Sequence, residues 1–442
     1  MQRGPPGVIG AGRMFSTPDH ALGMRSIESE DPMNQLLPFE EIWAAIAGSP
    51  LATLAALFLI ATAASELAVR LLRLPRYTAL VLAGLVLAAI AQNFADARLV
   101  PLLGRALEAV AMLMLFEVGQ RISFEWLRRN PWLLVGSLVE SAAAFWAIYT
   151  LLRLVFGVEP PAAALVAVIC MASSPIAVLA VSKDLRSRGQ VTERALLFST
   201  LSTAYAALVL QLVITGALVS GGLDIGLVMQ PIYQLCASFL LGTLAAGVLL
   251  LFVRAVPSRG AVQVMAVAAL CGLIYVIAWP LTLSPLLAAM AFGLVARGLD
   301  KHRRIASFET SEAGTLLAIA FFALTGAMLD WQLPMSAWWI AIAVVVVRVV
   351  VKIGAALALA PPSGLMPAKG LLVGIAQAPL SGVALMFAAH VARSYPTLLT
   401  AVEPVFAVVA ILAIIGPIAT EIALRRAKEN TCTGDHSAWG TR

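Results

Sequence analysis

The chain contains a long apolar segment that is interrupted in its middle. From Pro161 to Val181 the sequence reads PAAALVAVICMASSPIAVLAV, and Ser173, Ser174 and Pro175 break what would otherwise be a continuous membrane-spanning helix. Proline removes a backbone donor and clashes with the carbonyl four residues earlier. Inside a bilayer the freed backbone groups need another partner, so we expect this break to lie against protein or a water-filled cavity.

A second broken apolar segment, GLLVGIAQAPLSGVALMFAA, covers residues 370–389, and its middle holds Gln377, Pro379, Ser381 and Gly382. Two such segments in corresponding halves of a chain indicate the binding site of a transporter. We predict that the two breaks face each other near the bilayer midplane. The alternative is that the serines of the first break only satisfy backbone groups.

Composition agrees with a membrane protein. The chain is 61% hydrophobic and only 12% charged, whereas soluble domains are about 25% charged. The net charge of +6 is scattered over short loops, so no nucleic-acid partner is expected. Cys170, Cys236 and Cys271 lie in apolar segments without ligand-like spacing, so the sequence predicts neither a disulfide nor a metal site, and no cofactor.

Apolar runs of bilayer length divide the chain into an all-α membrane domain at 46–424, a polar disordered tail at 1–45 and a short cytoplasmic tail at 425–442. The predicted spans number thirteen, at about 48–69, 77–94, 104–120, 132–156, 161–182, 195–219, 229–253, 261–279, 282–298, 311–329, 336–359, 370–391 and 399–423.

Basic residues give the orientation of these spans. Seventeen Lys and Arg lie in the loops after odd-numbered spans and three in the loops after even-numbered ones. Basic loops stay in the cytoplasm, so we predict an outside N-terminus and a cytoplasmic C-terminus, in the inner membrane of a bacterium. The broken fifth and twelfth spans then cross in opposite directions, as the crossing helices of an inverted repeat do.

Five further stretches carry a family resemblance: LVLAGLVLA, MLMLFEVGQRISFEWLRR, SSPIAVLAVSKDL, LSPLLAAMAFGLVARG and FFALTGAMLD. In this order and spacing the chain resembles the monovalent cation:proton antiporters, which include sodium/proton exchangers and potassium-efflux systems. The resemblance covers about residues 50–423. It implies thirteen spans with broken fifth and twelfth helices, exchange of Na⁺ or K⁺ for protons, and a homodimer. No glycine-rich phosphate loop is present, so we expect no nucleotide-binding domain.

One departure from the family concerns the sixth span. The resemblance implies an aspartate there that binds the cation or the proton in turn, but Ser199 and Thr200 occupy its place. Their hydroxyls, with carbonyls freed at the breaks, could coordinate a cation, or they could serve helix packing. A hydroxyl cannot exchange a proton for a cation, so proton coupling needs another group.

Glu140 is the deepest carboxylate, about 12 Å into the fourth span at 1.5 Å per residue. It is either the coupling group or a structural ion-pair partner. Arg348 and Lys352 lie four residues apart on the eleventh span. Glu140, Arg348 and Lys352 are the candidate charge-coupling residues, with Arg348 as the candidate partner of Glu140. The alternatives are a structural role for Arg348 and, for Lys352, a side chain that extends towards the cytoplasm. Local pairs are predicted for Glu117 with Arg121 and for Glu66 with Arg70.

The sequence therefore predicts a secondary transporter of the cation:proton antiporter type. Two alternatives remain open, a transporter of a cation or small organic ion without proton coupling, and a transport-inactive membrane sensor or scaffold. An enzyme is not expected, because no nucleophile–base pair or metal cluster is evident in the sequence.

Overall fold

Fifteen α-helices form the regular structure of a computed structural model that describes residues 49–72, 75–91, 99–122, 130–218, 225–256, 260–300, 305, 312–329, 332–380, 382–394 and 399–429. The helices are α1 Pro50–Leu72, α2 Arg76–Ala91, α3 Leu99–Arg121, α4 Pro131–Leu154, α5 Pro160–Met171, α6 Pro175–Asp184, α7 Gln190–Leu218, α8 Ile225–Ala255, α9 Ala261–Ala278, α10 Pro285–Leu299, α11 Glu312–Ala327, α12 Met335–Ala358, α13 Pro367–Ala376, α14 Gly382–Ser394 and α15 Leu399–Arg426.

The lengths of these helices fit a bilayer. Within the described residues, eight segments are long and apolar enough to cross a membrane, and one of them is the interrupted stretch Pro160–Asp184. Five further apolar helices are shorter. The polar segment 1–45 and residues 430–442, part of the predicted cytoplasmic tail, lie outside the described residues.

Both interrupted segments break at their polar residues. Helix α5 ends at Met171, and α6 begins at Pro175, where proline suits the first helical position because no backbone donor is needed there. Ser174 caps α6 by accepting a hydrogen bond from the amide of Ala177 at 3.3 Å. Downstream, α13 ends at Ala376 and α14 begins at Gly382. Each break therefore exposes helix-terminal backbone groups to the neighbouring segment.

The helices pack in two groups, each with its closest packing inside the group. The first group contains α1, α2, α3, α8, α9, α10 and α11. The second group contains α4, α5, α6, α7, α12, α13, α14 and α15, and therefore holds both interrupted segments. Helices α7 and α15 also contact α8 and α2 of the first group.

Glycines allow the closest approaches within the first group. A Cβ on Gly119 or Gly293 would lie 2.3 or 1.9 Å from a carbonyl oxygen of the facing helix, at the crossing of α3 with α10. A Cβ on Gly84 or Gly326 would lie 2.2 or 2.1 Å from a carbonyl oxygen of the facing helix, at the crossing of α2 with α11. Small residues let helix backbones pack closely in a membrane, so these four positions set the spacing of the first group.

Candidate functional site

The two interrupted segments contact each other directly. The hydroxyl of Ser173 donates a hydrogen bond to the carbonyl oxygen of Gln377 at 2.8 Å, and the amide of Ser174 donates to the carbonyl oxygen of Pro379 at 2.8 Å. Both serines and Gln377 are buried. The structure thus brings these residues together with Pro175 at the start of α6, while Ser381 lies outside the described residues.

Arg348 of α12 fills the space between the two breaks. Its guanidinium is fully buried, and it donates to both segments. The acceptors are the carbonyl oxygens of Cys170 at 2.8 Å, Ala172 at 2.7 Å, Ala378 at 2.8 Å and Gln377 at 3.4 Å, and the hydroxyl of Ser173 at 3.1 Å. Arg348 therefore satisfies helix-terminal carbonyls that carry partial negative charge.

This arrangement bears on one of the possibilities that the sequence left open. Carbonyls freed at the breaks could coordinate a cation, but at least four of them accept hydrogen bonds from Arg348. A bound monovalent cation would compete with a guanidinium that is already in place. The crossing point is thus occupied by a fixed positive side chain, and any cation site must use other oxygens.

Glu140 of α4 and Lys352 of α12 form an ion pair in the interior, with side chains 0% and 1% exposed. The alternative that Lys352 extends towards the cytoplasm is therefore wrong, since its ammonium stays inside. Glu140 pairs with a basic residue of a neighbouring helix, as one interpretation predicted. That residue is Lys352 rather than Arg348, because the Arg348 guanidinium is directed at the breaks. The second carboxylate oxygen of Glu140 has no hydrogen-bond partner among the residues that the structure describes.

Helix α7 presents hydroxyls, not carboxylates, at the breaks. Thr200 donates to the carbonyl oxygen of Leu196 at 2.7 Å, within its own helix, whereas the buried hydroxyl of Ser199 has no hydrogen-bond partner in the described part of the chain. One turn further, Thr203 donates to the carbonyl oxygen of Ser173 at 2.7 Å. The sequence analysis missed Thr203, although its spacing of four from Ser199 puts both residues on one helix face.

The Ser202 hydroxyl, which the sequence analysis also missed, accepts a hydrogen bond from the amide of Ser173 at 3.1 Å. Together with the hydrogen bond from Thr203, this contact connects α7 to both the amide and the carbonyl group of Ser173 in the first break. The Ser202 hydroxyl donates to the carbonyl oxygen of Ser199 at 3.0 Å, and the single proton of the Thr203 hydroxyl is shared between the carbonyl oxygens of Ser173 and Ser199, the latter at 2.9 Å. Movements of α7 and of the first break are therefore coupled mechanically.

The predicted local pair of Glu66 with Arg70 is wrong, because Glu66 pairs with Arg76 of α2. Glu117 pairs with Lys183 of α6, a partner that its local spacing does not predict. The Glu117–Lys183 pair joins the first helix group to the second and is nearly buried, with side chains 2% and 12% exposed. Both glutamates therefore have a partner on another helix.

Within the described residues, four buried oxygens on these helices have no hydrogen-bond partner, namely one carboxylate oxygen of Glu140, the hydroxyls of Ser141 and Ser199 and the amide oxygen of Gln377. Buried oxygens are normally satisfied, so these four are unusual. Oxygen ligands suit hard cations. The interior therefore holds oxygens with unused acceptor capacity and one carboxylate that is paired with an ammonium.

The interrupted helices that meet at buried polar residues define the class of the protein, because this arrangement is typical of secondary transporters. The family follows from a match of residues 54–426 to the family described as "Sodium/hydrogen exchanger, transmembrane". The chain belongs to this family. It is an integral, multi-pass membrane protein and a transporter rather than an enzyme.

Solved structures share the fold. The sodium proton antiporter MjNhaP1 from Methanocaldococcus jannaschii at pH 8 superposes with a TM-score of 0.63 at 15% identity, covering 85% of this chain and 95% of that chain. An electron-microscopy map of the same antiporter gives 0.62 at 14% identity, covering 86% and 94%. No curated protein sequence is significantly similar to this chain.

Proposed function

We propose that this protein exchanges a monovalent cation, Na⁺ or K⁺, for protons by alternating access. Membership in the sodium/hydrogen exchanger family supports the reaction class, and the shared fold with a sodium proton antiporter supports the mode of transport. The resemblance to these antiporters also supports a homodimer, and the proposed location is the inner membrane of a bacterium. Membership in the family does not identify the coupling group, because Ser199 and Thr200 replace the expected carboxylate.

The Glu140–Lys352 ion pair carries the proposal, because it supplies a buried acid and a buried base on facing helices. Lys352 lies one turn after Arg348 on the same face of α12, so the pair is about 6 Å along the helix from the crossing point. A charged side chain inside a membrane is unfavourable in free energy, and in transporters such residues mark the pathways of ions or protons.

Coupling follows from competition for one carboxylate. A cation that binds Glu140 displaces the ammonium of Lys352 from its oxygen. A buried ammonium without a counterion is unfavourable, so Lys352 releases its proton. When a proton returns, the ammonium re-forms, pairs with Glu140 and expels the cation. Each cation bound therefore corresponds to a proton released, and Ser199 and Gln377 offer further oxygens to the cation.

The proposed topology has thirteen spans with the N-terminus outside and the C-terminus cytoplasmic, and the broken fifth and twelfth spans cross as an inverted repeat. The seventeen basic residues in alternate loops support the orientation. The second helix group, which holds both breaks, would move against the first during alternating access. The buried Glu117–Lys183 pair joins the two groups and would open in that movement.

A transport assay tests the proposal. Purified protein in liposomes that contain a pH-sensitive dye is given Na⁺, K⁺ or Li⁺ in turn. We expect cation-dependent proton flux in the wild type and its loss in Glu140→Gln. Because this change leaves Lys352 buried without a counterion, the double variant Glu140→Gln/Lys352→Gln is measured beside it. The matched control is Glu66→Gln, which removes an acid from a half-exposed pair.

A folded Glu140→Gln protein with unchanged exchange would reject Glu140 as the coupling group. Cation flux without proton flux in the wild type would favour a transporter of a cation or small organic ion without proton coupling. The hydroxyls at positions 199 and 200 are the observation that favours this second candidate. Absence of all flux from a folded protein would favour a membrane sensor or scaffold.

A further inference from the structure

Ser141 of α4 carries a buried hydroxyl that the hydrogen bonds of the interior do not use. The residue is 1% exposed, and its side-chain oxygen has no hydrogen-bond partner among the residues that the structure describes. Ser141 directly follows Glu140, so the Cα atoms of the two residues are about 3.8 Å apart. The unused hydroxyl therefore lies next to the only carboxylate of the central ion pair.

Other buried hydroxyls of the membrane helices behave differently from Ser141. Those that donate to a carbonyl oxygen three or four residues earlier in their own helix are Ser137, Ser182, Thr200, Ser202, Thr325 and Thr420. This local bond is the usual way in which a serine or threonine inside a helix satisfies its hydroxyl. In the described part of the chain, Ser141 makes no such bond, so its oxygen remains able to contact a ligand.

Glu140 also has an oxygen with unused capacity. Its Oε1 pairs with the ammonium of Lys352, whereas its Oε2 is buried and has no hydrogen-bond partner within the described residues. Two consecutive residues of α4 thus each hold one unsatisfied oxygen, on a helix that packs against α12. A buried oxygen without a partner is unfavourable in free energy, and hard cations prefer carboxylate and other oxygen ligands. A bound cation would satisfy both atoms.

We propose that Ser141 is a ligand of the transported cation and coordinates the ion that binds Glu140. This inference rests on the proposed antiport through Glu140 and adds a specificity-determining residue to it. A neutral hydroxyl oxygen contributes to cation affinity without adding a charge, and its contribution depends on how well the ion fits the distance between the two oxygens. Because both ligands belong to consecutive residues of one helix, they stay together when the helix groups move.

Cation binding to the purified full chain tests this role without a transport measurement. The protein, in a choline buffer free of alkali cations, is titrated with Na⁺, K⁺ or Li⁺ while its unfolding temperature is followed. Ser141→Ala removes the oxygen, and Ser141→Cys keeps the size of the side chain but replaces oxygen with sulfur, a soft ligand that suits hard cations poorly. We expect both variants to weaken the apparent affinity about tenfold, as loss of one contact to a charged group does. Without cation, Ser141→Ala should unfold no earlier than the wild type, because the lost hydroxyl had no partner.

The matched control is Ser182→Ala on α6, which removes a hydroxyl that is equally buried but donates to the carbonyl oxygen of Leu179 at 2.8 Å. This variant should unfold at a lower temperature and keep the wild-type affinity. Unchanged affinity in both Ser141 variants, with the response lost in Glu140→Gln, would overturn the role of Ser141 and leave antiport through Glu140 standing. Equal losses of affinity in Ser141→Ala and Ser182→Ala would also overturn it. A wild type without any cation response would overturn the antiport proposal and this one with it.

Discussion

Replacing Arg348 with lysine keeps the positive charge between the two breaks and removes the planar set of donors. The guanidinium reaches Cys170 and Ala172 on the first segment and Ala378 on the second, all at 2.7–2.8 Å. An ammonium is a single point with three donors on a flexible stem, so it cannot reproduce the span of the fork. We expect Arg348→Lys to keep contact with one segment and to lose the other.

The magnitude follows from the acceptors left behind. A buried carbonyl that loses its donor costs about 1–3 kcal/mol, and Arg348→Lys leaves one or two of them. The expected loss is therefore about 1–6 kcal/mol in the free energy of unfolding. Equilibrium unfolding of purified protein in mixed detergent micelles measures this loss. The control is Arg425→Lys, whose arginine is 59% exposed and pairs with Glu421.

An exposed pair contributes little, so the control should change stability by less than about 0.5 kcal/mol. If Arg348→Lys also stays within that range, Arg348 is not what holds the two interrupted segments together, and the description of the crossing point is wrong. A large loss in both variants would indicate a general sensitivity to this substitution rather than a role for the breaks.

Three further outcomes are expected. Gly293→Ala should lower the unfolding temperature, because its Cβ would lie 1.9 Å from the carbonyl oxygen of Phe116, while Gly272→Ala, with open space around it, should not. Thr200→Asp should gain cation-dependent thermal stability, and a folded variant without this gain would argue against a monovalent-cation site beside α7. In a background without native cysteines, a cysteine at Arg303 should resist an impermeant thiol reagent added outside; labelling would contradict the proposed topology.

The position of the breaks is readable from local sequence. Ser173–Pro175 and Gln377–Pro379 interrupt apolar runs with residues that end helices, and this effect needs no distant partner. The apolar residues on both sides of the first break likewise predict that its serine hydroxyls are buried. The helix ends follow because proline and serine act through their own backbone and nearest neighbours.

The ion-pair partners depend on which helices meet, and local spacing does not specify this. Glu117 and Glu66 each have an arginine four residues away, yet both pair with a residue on another helix. Lys352 has a stem long enough to reach water, but Glu140 on the facing helix keeps it inside. Sequence alone suggested candidates for each charge, and the packing of α3 on α6, of α1 on α2 and of α4 on α12 selects among them.

The C-terminal end of the chain also makes a contact that local sequence does not predict. Residues from 425 onward were predicted to be a cytoplasmic tail, but Glu429 reaches back to cap the N-terminus of α7. A carboxylate at a helix N-terminus stabilises the helix. The match is between residues more than 230 positions apart in the chain. The residues next to Glu429 in the sequence form no local pattern that predicts such a contact.

Proton release on cation binding tests the proposed coupling most directly. Purified protein in a weakly buffered solution is given Na⁺ or K⁺, and the pH of the solution is followed together with the amount of cation bound. The wild type should release a proton for each cation, because the cation displaces Lys352 from Glu140. Glu140→Gln should release none, and Glu66→Gln should match the wild type. Cation binding without proton release in the wild type, or undiminished release in Glu140→Gln, would contradict coupling through this pair.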